Sequence, residues 1–472
     1  MSYSLPAYSE YRAADLPWLG CVPATWKIKR AKSYFSLIDL RSKEGAEELL
    51  TVSASDGIRK RREKAVTMFQ AASYAGHKLC WPGDLVVNSL WAWATGLGFS
   101  QYHGIVSTAY SVYRLRPELA DDFEYFHHLL RSRAYDWEFT VRSKGIWISR
   151  LQLTDESFFD MPILLQPNED RKAIVRFVRH LDLRVNRLLK TKRRLIELLT
   201  EQKQAIIHRA VTRGLDPDVP LKSSGVEWLG DVPEHWAVLR LKQVASIALS
   251  NVDKKSVEGE VKVRLCNYTD VYYNSEITSS LNFMEATAPS DQAKRFQLKV
   301  GDVLITKDSE TPEDIAVPAI VTEALDGVVC GYHLAMLRPK KLLQGKYLAH
   351  VLANSPCRDH FHTSAHGVTR YGLSLDGIGT APILLPPLAE QNEIADYIGR
   401  ETAPFEKAIA KAKSEIDFIR EYRTRLVSDV VTGQLDVRGL ALPEVEDVKD
   451  NLSDEAEEGD ELPGEEPEGD DE

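Results

Sequence analysis

One long amphipathic stretch occurs twice in this chain, and few folds accommodate it. Residues 174–216 and 394–436 align at a constant offset of 220, with no insertion or deletion. The first opens Ile174-Val175-Arg176-Phe177-Val178 and closes Val211-Thr212-Arg213-Gly214-Leu215-Asp216. The second opens Ile394-Ala395-Asp396-Tyr397-Ile398 and closes Val431-Thr432-Gly433-Gln434-Leu435-Asp436. No proline interrupts the first copy, and only Pro404 the second. Apolar residues recur at 4,3 spacing: Ile174, Val178, Leu181, Val185, Leu188, Leu195, Leu199 and Ile206, with Lys192 and Gln202 breaking the series. The second copy offers Ile394, Ile398, Phe405, Ala408, Ala412, Ile419, Tyr422 and Leu426. Such spacing is the seam of a long helix packed on another helix. Roughly 40 residues at 1.5 Å rise make a rod on the order of 60 Å long. Gly214 and Gly433 stand where each helix should stop.

A second element repeats upstream of each rod. Trp18-Leu19-Gly20-Cys21-Val22-Pro23-Ala24-Thr25-Trp26 returns as Trp228-Leu229-Gly230-Asp231-Val232-Pro233-Glu234-His235-Trp236. Its Trp and Pro are expected to anchor a turn into a core. Gly83-Asp84-Leu85-Val86-Val87-Asn88 parallels Gly301-Asp302-Val303-Leu304-Ile305-Thr306, a turn feeding a buried strand. Helical segments follow near 122–135 and 345–358, then the apolar runs Pro162–Leu165 and Pro382–Leu385. A period above 200 residues marks a duplicated domain rather than a solenoid. The expected fold is α+β. Two mixed α/β domains, 16–166 and 222–388, are separated by two long antiparallel helices, 167–214 and 389–434. The helices pair as a coiled coil, the duplication makes a pseudo-twofold, and an acidic disordered tail closes the chain at 444–472.

Charge sharpens the picture. The net −11 is dominated by residues 444–472, where sixteen Asp/Glu face one Lys. The remainder is +4 by subtraction, and residues 171–213 alone hold thirteen Lys/Arg against three Asp/Glu. A basic rod suits a polyanion, although a solvated helix face has the same composition. No apolar run is long enough for a membrane span. The amino terminus lacks a signal pattern, and five scattered cysteines suit the reducing cytoplasm.

These repeats carry a family resemblance. The paired WLG-x-VP-x-x-W openings, the GD strands, the run Gly104-Ile105-Val106-Ser107-Thr108-Ala109-Tyr110, the run 382–394 and the closing Val431-Thr432-Gly433-Gln434-Leu435-Asp436 resemble a type I restriction–modification specificity subunit. The likeness spans about residues 16–440. In the first copy, Gln166-Pro167-Asn168-Glu169-Asp170-Arg171 departs from the family's Pro-Pro-Leu-x-Glu-Gln form. The resemblance implies that each globule is a target-recognition domain reading half of a bipartite double-stranded DNA site. It implies that the helices set the spacing and dock two methyltransferase subunits, and that two restriction motor-nuclease subunits join them in defence against phage. S-adenosylmethionine would then belong to the methyltransferase, and ATP and Mg²⁺ to the restriction subunit, with no cofactor in this chain.

The chain's own chemistry points the same way. Its one Pro-Pro, Pro386-Pro387, lacks the Asn/Asp and aromatic neighbours of an adenine methyltransferase loop, and no Gly-x4-Gly-Lys-Ser/Thr phosphate loop exists. The alternative is a self-contained metal-dependent endonuclease using Asp253, Glu260 and Lys262. Cys357, His360, His362 and His366 have loosely zinc-like spacing without a second cluster. Base and phosphate contacts call for Arg, Lys, Asn or hydroxyl side chains on loops. In the first domain these are Arg59, Lys60, Arg61, Arg62, Asn88, Arg142, Lys144, Trp147 and Arg150. In the second they are Lys307, His366, Thr369, Arg370 and Tyr371. Trp91 and Trp93 are assigned to core packing.

Overall fold

A computed structural model of the chain describes residues 5–54, 57–63, 73–145, 151–226, 229–367 and 370–442. Trp147, Arg150, Thr369 and the acidic tail 444–472 lie outside the described residues. The chain divides into two compact units. One combines residues up to 192 with those from 414 onward, and the other is 193–413. Each long helix, Asn168–Arg213 and Leu388–Val431, runs through both units. The expected α+β class, two mixed domains joined by two long helices, is the class observed. No helix among the described residues is long and apolar enough to cross a membrane.

The first unit is built on a four-stranded antiparallel sheet, ordered Phe35–Ile38, Tyr110–Leu115, Asp84–Asn88, Leu97–Phe99. The GD strand Asp84–Asn88 is buried on both faces, as its unbroken apolar run requires. One face meets the hairpin Leu50–Ser53/Gly57–Lys60 and the pair Lys78–Cys80/Gly104–Val106 through Leu50, Ile58, Val86, Val106 and Val112. Helices Phe123–Leu130 and Arg133–Arg142 join the first half of the long helix in a second core, which includes Leu85 and Val87 of the same strand. The expected single helix near 122–135 is thus two, broken at Arg131-Ser132.

The second unit repeats the plan with more strands. Its main sheet is ordered Ala245–Leu249, Leu334–Pro339, Val303–Thr306, Pro318–Val321, Glu276–Ile277, the last pair parallel. A three-stranded sheet, Met284–Ala288, Val261–Cys266, Val328–Cys330, shares a core with it through Leu304, Ala319 and Met336. Helices Gly345–Leu352 and Ser355–Ser364 complete the other face.

Equivalent bonds show how closely the copies correspond. The buried Asp84 carboxylate receives Arg114 Nε at 2.7 Å and Nη2 at 2.8 Å. Asp302 receives Arg338 in the same bidentate way, at 2.7 and 2.6 Å. Both aspartates also accept a backbone N–H from the turn before the strand, Trp81 at 2.9 Å and Lys299 at 2.8 Å. Of the motif tryptophans, Trp26 and Trp236 are buried, Trp18 is half-buried, and Trp228 lies outside the described residues. Trp26 Nε1 donates to Asp170 Oδ2 at 3.0 Å, and Trp236 Nε1 to Glu390 Oε1 at 3.0 Å.

Within each unit the helix segments run antiparallel. In the first, Asp182 pairs with Arg423 at 2.8 and 2.9 Å and Lys192 with Glu415. In the second, Lys203 meets Glu406 at 2.7 Å. The seam of the second helix keeps the 4,3 spacing: Ile398, Thr402, Phe405, Ile409, Ala412, Ile416, Ile419 and Leu426 are all buried or half-buried, as are Ile394 and Val430. The seam of the first helix differs from expectation. Ile174, Val178, Leu181 and Val185 are buried and Leu188 half-buried, but Leu195 is 41% exposed. Ile207, not Ile206, is buried next to Ala210 and Val211, while Leu199 is half-buried. The line runs Ile174, Val185, Ile196, Ile207, an 11-residue repeat. That period of about 3.67 residues per turn lies nearer a straight helix than 3.5, which drifts by about 20° per heptad unless the helix supercoils.

Two predictions follow from this geometry. Ile207→Ala is expected to cost about 2–4 kcal/mol, and Leu195→Ala at most about 0.5 kcal/mol, in denaturant unfolding; equal costs would restore the seven-residue seam. Gly214 and Gly433 both have positive φ, +73° and +80°. A Cβ at Gly433 would lie 2.5 Å from Pro23 Cδ and 2.8 Å from the Trp26 ring, whereas at Gly214 the nearest atoms are 3.3 Å away. Gly433→Ala should therefore lower the melting temperature further than Gly214→Ala, the clash adding about 1–3 kcal/mol to the backbone strain.

Candidate nucleic-acid interface

In the first unit the GD strand ends at Asn88, paired across the sheet with Tyr110. Asn88 Oδ1 accepts the Leu90 N–H at 3.2 Å, which turns the chain sharply. Ser89 O then accepts the Leu153 N–H at 2.9 Å, and Lys144 and Gln152 exchange backbone bonds at 2.9 and 3.0 Å. The turn after Asn88 and the base of the basic loop 142–150, which carries Gly145 (the glycine loop, matched by 366–371 in the second unit), are therefore bonded together. The exposed loop Ser107–Ala109 leads into Tyr110 at the same end of the sheet. Arg61 also belongs here: its charge acts on the Tyr110 hydroxyl, whose pKa is raised by burial and pulled back by that guanidinium.

The basic cluster lies on the hairpin and the turn after it. Arg59 and Lys60 are on strand Gly57–Lys60, with the Lys60 ammonium 4.9 Å from the Tyr102 ring centre. Arg62 pairs with Glu48 at 3.3 Å. Arg131 ties this hairpin to the Asn88 side, donating to Thr95 O at 3.1 Å, Leu97 O and Ala54 O at 2.6 Å. Arg142 is bound differently from a free phosphate ligand. Its Nε bonds to Glu138, which also accepts Trp18 Nε1 at 2.7 Å.

Trp91 corrects the sequence reading. It is 44% exposed and stacks on Trp93, with centroids 5.6 Å apart and rings 21° from parallel. Assigning both to the core followed the average burial of tryptophan. The turn following Asn88 instead displays Trp91 beside exposed Leu90, with Trp93 half-buried.

The second unit repeats the frame with other side chains. Lys307 O accepts the Leu373 N–H at 2.8 Å, and His366 exchanges bonds with Gly372 at 3.1 and 3.0 Å. The turn and the glycine loop are again bonded together, and Asp308-Ser309 pairs with Tyr371-Gly372. His366 and Arg370 are exposed, and Tyr371 is half-buried. Gly367 is required by close approach, because a Cβ there would lie 1.9 Å from Arg370 O. Lys307 is only 12% exposed and donates to Asp308 at 2.6 Å. Tyr332, 48% exposed, lies in the loop matching Ser107–Ala109 and covers the Lys307 ammonium at 4.7 Å. Asp308 and Tyr332 were missed by sequence reasoning, although the 224-residue offset between Arg114 and Arg338 aligns Tyr332 with Thr108.

The residues of the nuclease alternative are otherwise engaged. Glu260 accepts Thr287 Oγ1 at 2.7 Å, and Asp253 caps the Lys254 N–H at 2.7 Å. Among the described residues, no three His, Cys, Asp or Glu side chains group as a metal site. Cys357 is buried, and His360 lies 3.0 Å from Gly377 O.

The fold and this paired frame define a protein with two domains of one design joined by long helices. Residues 233–414 match the family model described as the type I restriction modification DNA specificity domain. The MjaVIII type I restriction enzyme specificity subunit of Methanocaldococcus jannaschii is 21% identical over 71% of this chain and 76% of its own length. The EcoKI specificity subunit of Escherichia coli is 23% identical over 44% of each chain. A solved chain from a study of type I R-M complex assembly and conformational transition shares the fold, with TM-score 0.59 and 17% identity over 88% of this chain and 99% of its own. The chain is thus similar to type I restriction–modification specificity subunits, the family its motifs resemble.

Arg131→Met should release the basic hairpin without removing a residue from the exposed surface. Hydrogen-exchange protection of the Gly57–Lys60 amides is expected to fall by about 1–3 kcal/mol in opening free energy; unchanged protection would show that the hairpin holds itself.

Proposed function

We propose that this chain is the non-catalytic DNA-specificity subunit of a type I methyltransferase/restriction complex in the cytoplasm. Each unit reads one half of a bipartite double-stranded site. The two long helices fix the gap between half-sites and dock two methyltransferase subunits, with two restriction subunits joining the assembly. Methyl transfer draws on S-adenosylmethionine in the partner methyltransferase, and cleavage on ATP and Mg²⁺ in the partner restriction subunit.

The observation that carries this reading is a constant frame with variable display. Both units bond the turn after the GD strand to the glycine loop, through Leu153–Ser89 and Leu373–Lys307. On that frame the first unit displays Leu90, Trp91, Lys144 and the nearby Arg61. The second displays Tyr332, His366 and Arg370. Constant backbone bonding with divergent side chains suits two readers of different sequences, since base edges are read by side-chain chemistry. Lys60, Arg59 and Arg62 supply phosphate attraction, and Asn88 shapes the turn that positions the others. Trp147, Arg150 and Thr369 belong to the same two loops by sequence.

The test is reconstitution. The chain alone with S-adenosylmethionine and DNA should transfer no methyl group; with its methyltransferase partner it should methylate one bipartite sequence. Methylation by the isolated chain would overturn the reading. Inserting seven residues in each helix, near 192 and 412, adds on the order of 10 Å, or about three base pairs. Selection of methylated sites from a random library should return the same half-sites with a changed gap, or no activity where groove phase is lost. Altered half-sites with the original gap would show that the helices do not set it.

A further inference from the structure

The turn after the central strand of the second unit holds a carboxylate where the first unit has an apolar side chain. Aligning Leu373–Lys307 with Leu153–Ser89 sets Asp308 opposite Leu90. Asp308 is placed from both sides. Its backbone pairs with Gly372 of the glycine loop, and its side chain receives Lys307 Nζ at 2.6 Å and meets His333 Nδ1 at 2.9 Å. Both of these contacts end on Oδ2. Oδ1 lies toward Gly372, close enough that a Cβ there would sit 3.2 Å from it. Tyr332 flanks the cluster and stays half-exposed.

A carboxylate at a DNA-facing end is repelled by phosphates, so it needs a specific partner there. Here the repulsion is offset locally, because Lys307 supplies the opposite charge at contact distance. Burial works against ionisation, but the bonds from Lys307 and His333 outweigh it and hold the carboxyl below its usual range. An ionised carboxylate only accepts hydrogen bonds. In the major groove the base-edge donors are the exocyclic amino groups, cytosine N4 and adenine N6. We propose that Asp308 is a base-reading residue of the second unit, whose Oδ1 accepts a hydrogen bond from such an amino group. Lys307 and His333 act as its positioning residues. The open face left by Gly372 gives the base access, and Leu90 at the matched place makes the first half-site differ in kind. This inference rests on the proposed reading of the chain as a DNA-specificity subunit.

Two variants test it in the full chain assembled with its methyltransferase partner, by selecting methylated sites from a random library. Asp308→Asn replaces one acceptor oxygen by a donor. Gly372→Ala leaves every charge in place but covers Oδ1. Each is expected to relax or switch the preference at one base pair of one half-site by about 10- to 100-fold. The other half-site and the gap should be unchanged in both variants, and binding to unrelated duplex unchanged in Gly372→Ala, which keeps every charge. The lost preference also identifies the base, a C·G or an A·T pair. Wild-type preferences at every position in folded Asp308→Asn would overturn the assignment. If that variant fails to fold, wild-type preferences in Gly372→Ala overturn it instead. Absence of any sequence preference in the unaltered complex would sink the specificity-subunit reading itself, a separate result from failure at Asp308.

Discussion

A single kind of hydrogen bond, from a buried indole to a carboxylate in a helix's first turn, organises both units. Trp26 donates to Asp170 at the start of the first long helix, and its ring lies against Gly433, just past the end of the second. Trp236 donates to Glu390 at the start of the second long helix, and its ring lies against Gly214, just past the end of the first. Each indole therefore joins the beginning of one helix to the end of the other within its own unit. An indole N–H is only a donor, and a negative charge in a first helical turn is favoured by the helix dipole, so the pairing is chemically matched. Both glycines have positive φ, and at Gly433, Pro23 and the Trp26 ring also occupy the space a side chain would take.

That constraint explains why the duplication was legible. The bond requires Trp, a carboxylate and Gly at fixed places, and few substitutions preserve it. Asp170 and Glu390 differ by one methylene and still deliver an oxygen at 3.0 Å. Asp84 with Arg114 and Asp302 with Arg338 are equally restricted, because a buried carboxylate needs a bidentate cation. Element types and order were readable from these points. The break at Ser132 was not, since no proline or glycine marks it, whereas the matching break at Asn354 is followed by Pro356 in the first turn of the next helix.

The interface was less legible, for a physical reason. Whether a basic side chain is free to meet DNA depends on what the fold puts beside it. The basic stretch around Arg142 predicts phosphate contact, yet Glu138, one helical turn back, holds the guanidinium. The place of Lys307 after the strand predicts the same, and Asp308 neutralises it at the next residue. Trp91 shows the opposite failure. Burial statistics send tryptophan inward, but the Asn88 turn faces it outward. Local composition finds the loops; tertiary neighbours decide which side chains in them are available.

The two long helices bury their apolar faces on different repeats. The first has an 11-residue apolar repeat through Ile174, Val185, Ile196 and Ile207, whereas the second holds a 4,3 repeat. Two antiparallel helices of unequal period cannot keep knobs in holes over their full length. Apolar burial is concentrated where each helix merges with a globular core: Ile174 to Val185 and Leu426 to Val431 in one unit, Ile207 to Val211 and Ile394 to Ile398 in the other. Between those regions the first helix loses its full burial, while Ala412 and Ile416 of the second stay buried. Leu195 and Leu198 are exposed in the second unit, and Phe418 is 67% exposed in the first. Ion pairs such as Lys192–Glu415 and Lys203–Glu406 hold the helices there. Partly exposed ion pairs contribute little stability, roughly 0–1 kcal/mol each, and tolerate a change of register far better than interlocked apolar side chains do. The stability of each unit is thus set chiefly at the helix ends, where both helices merge with a globular core.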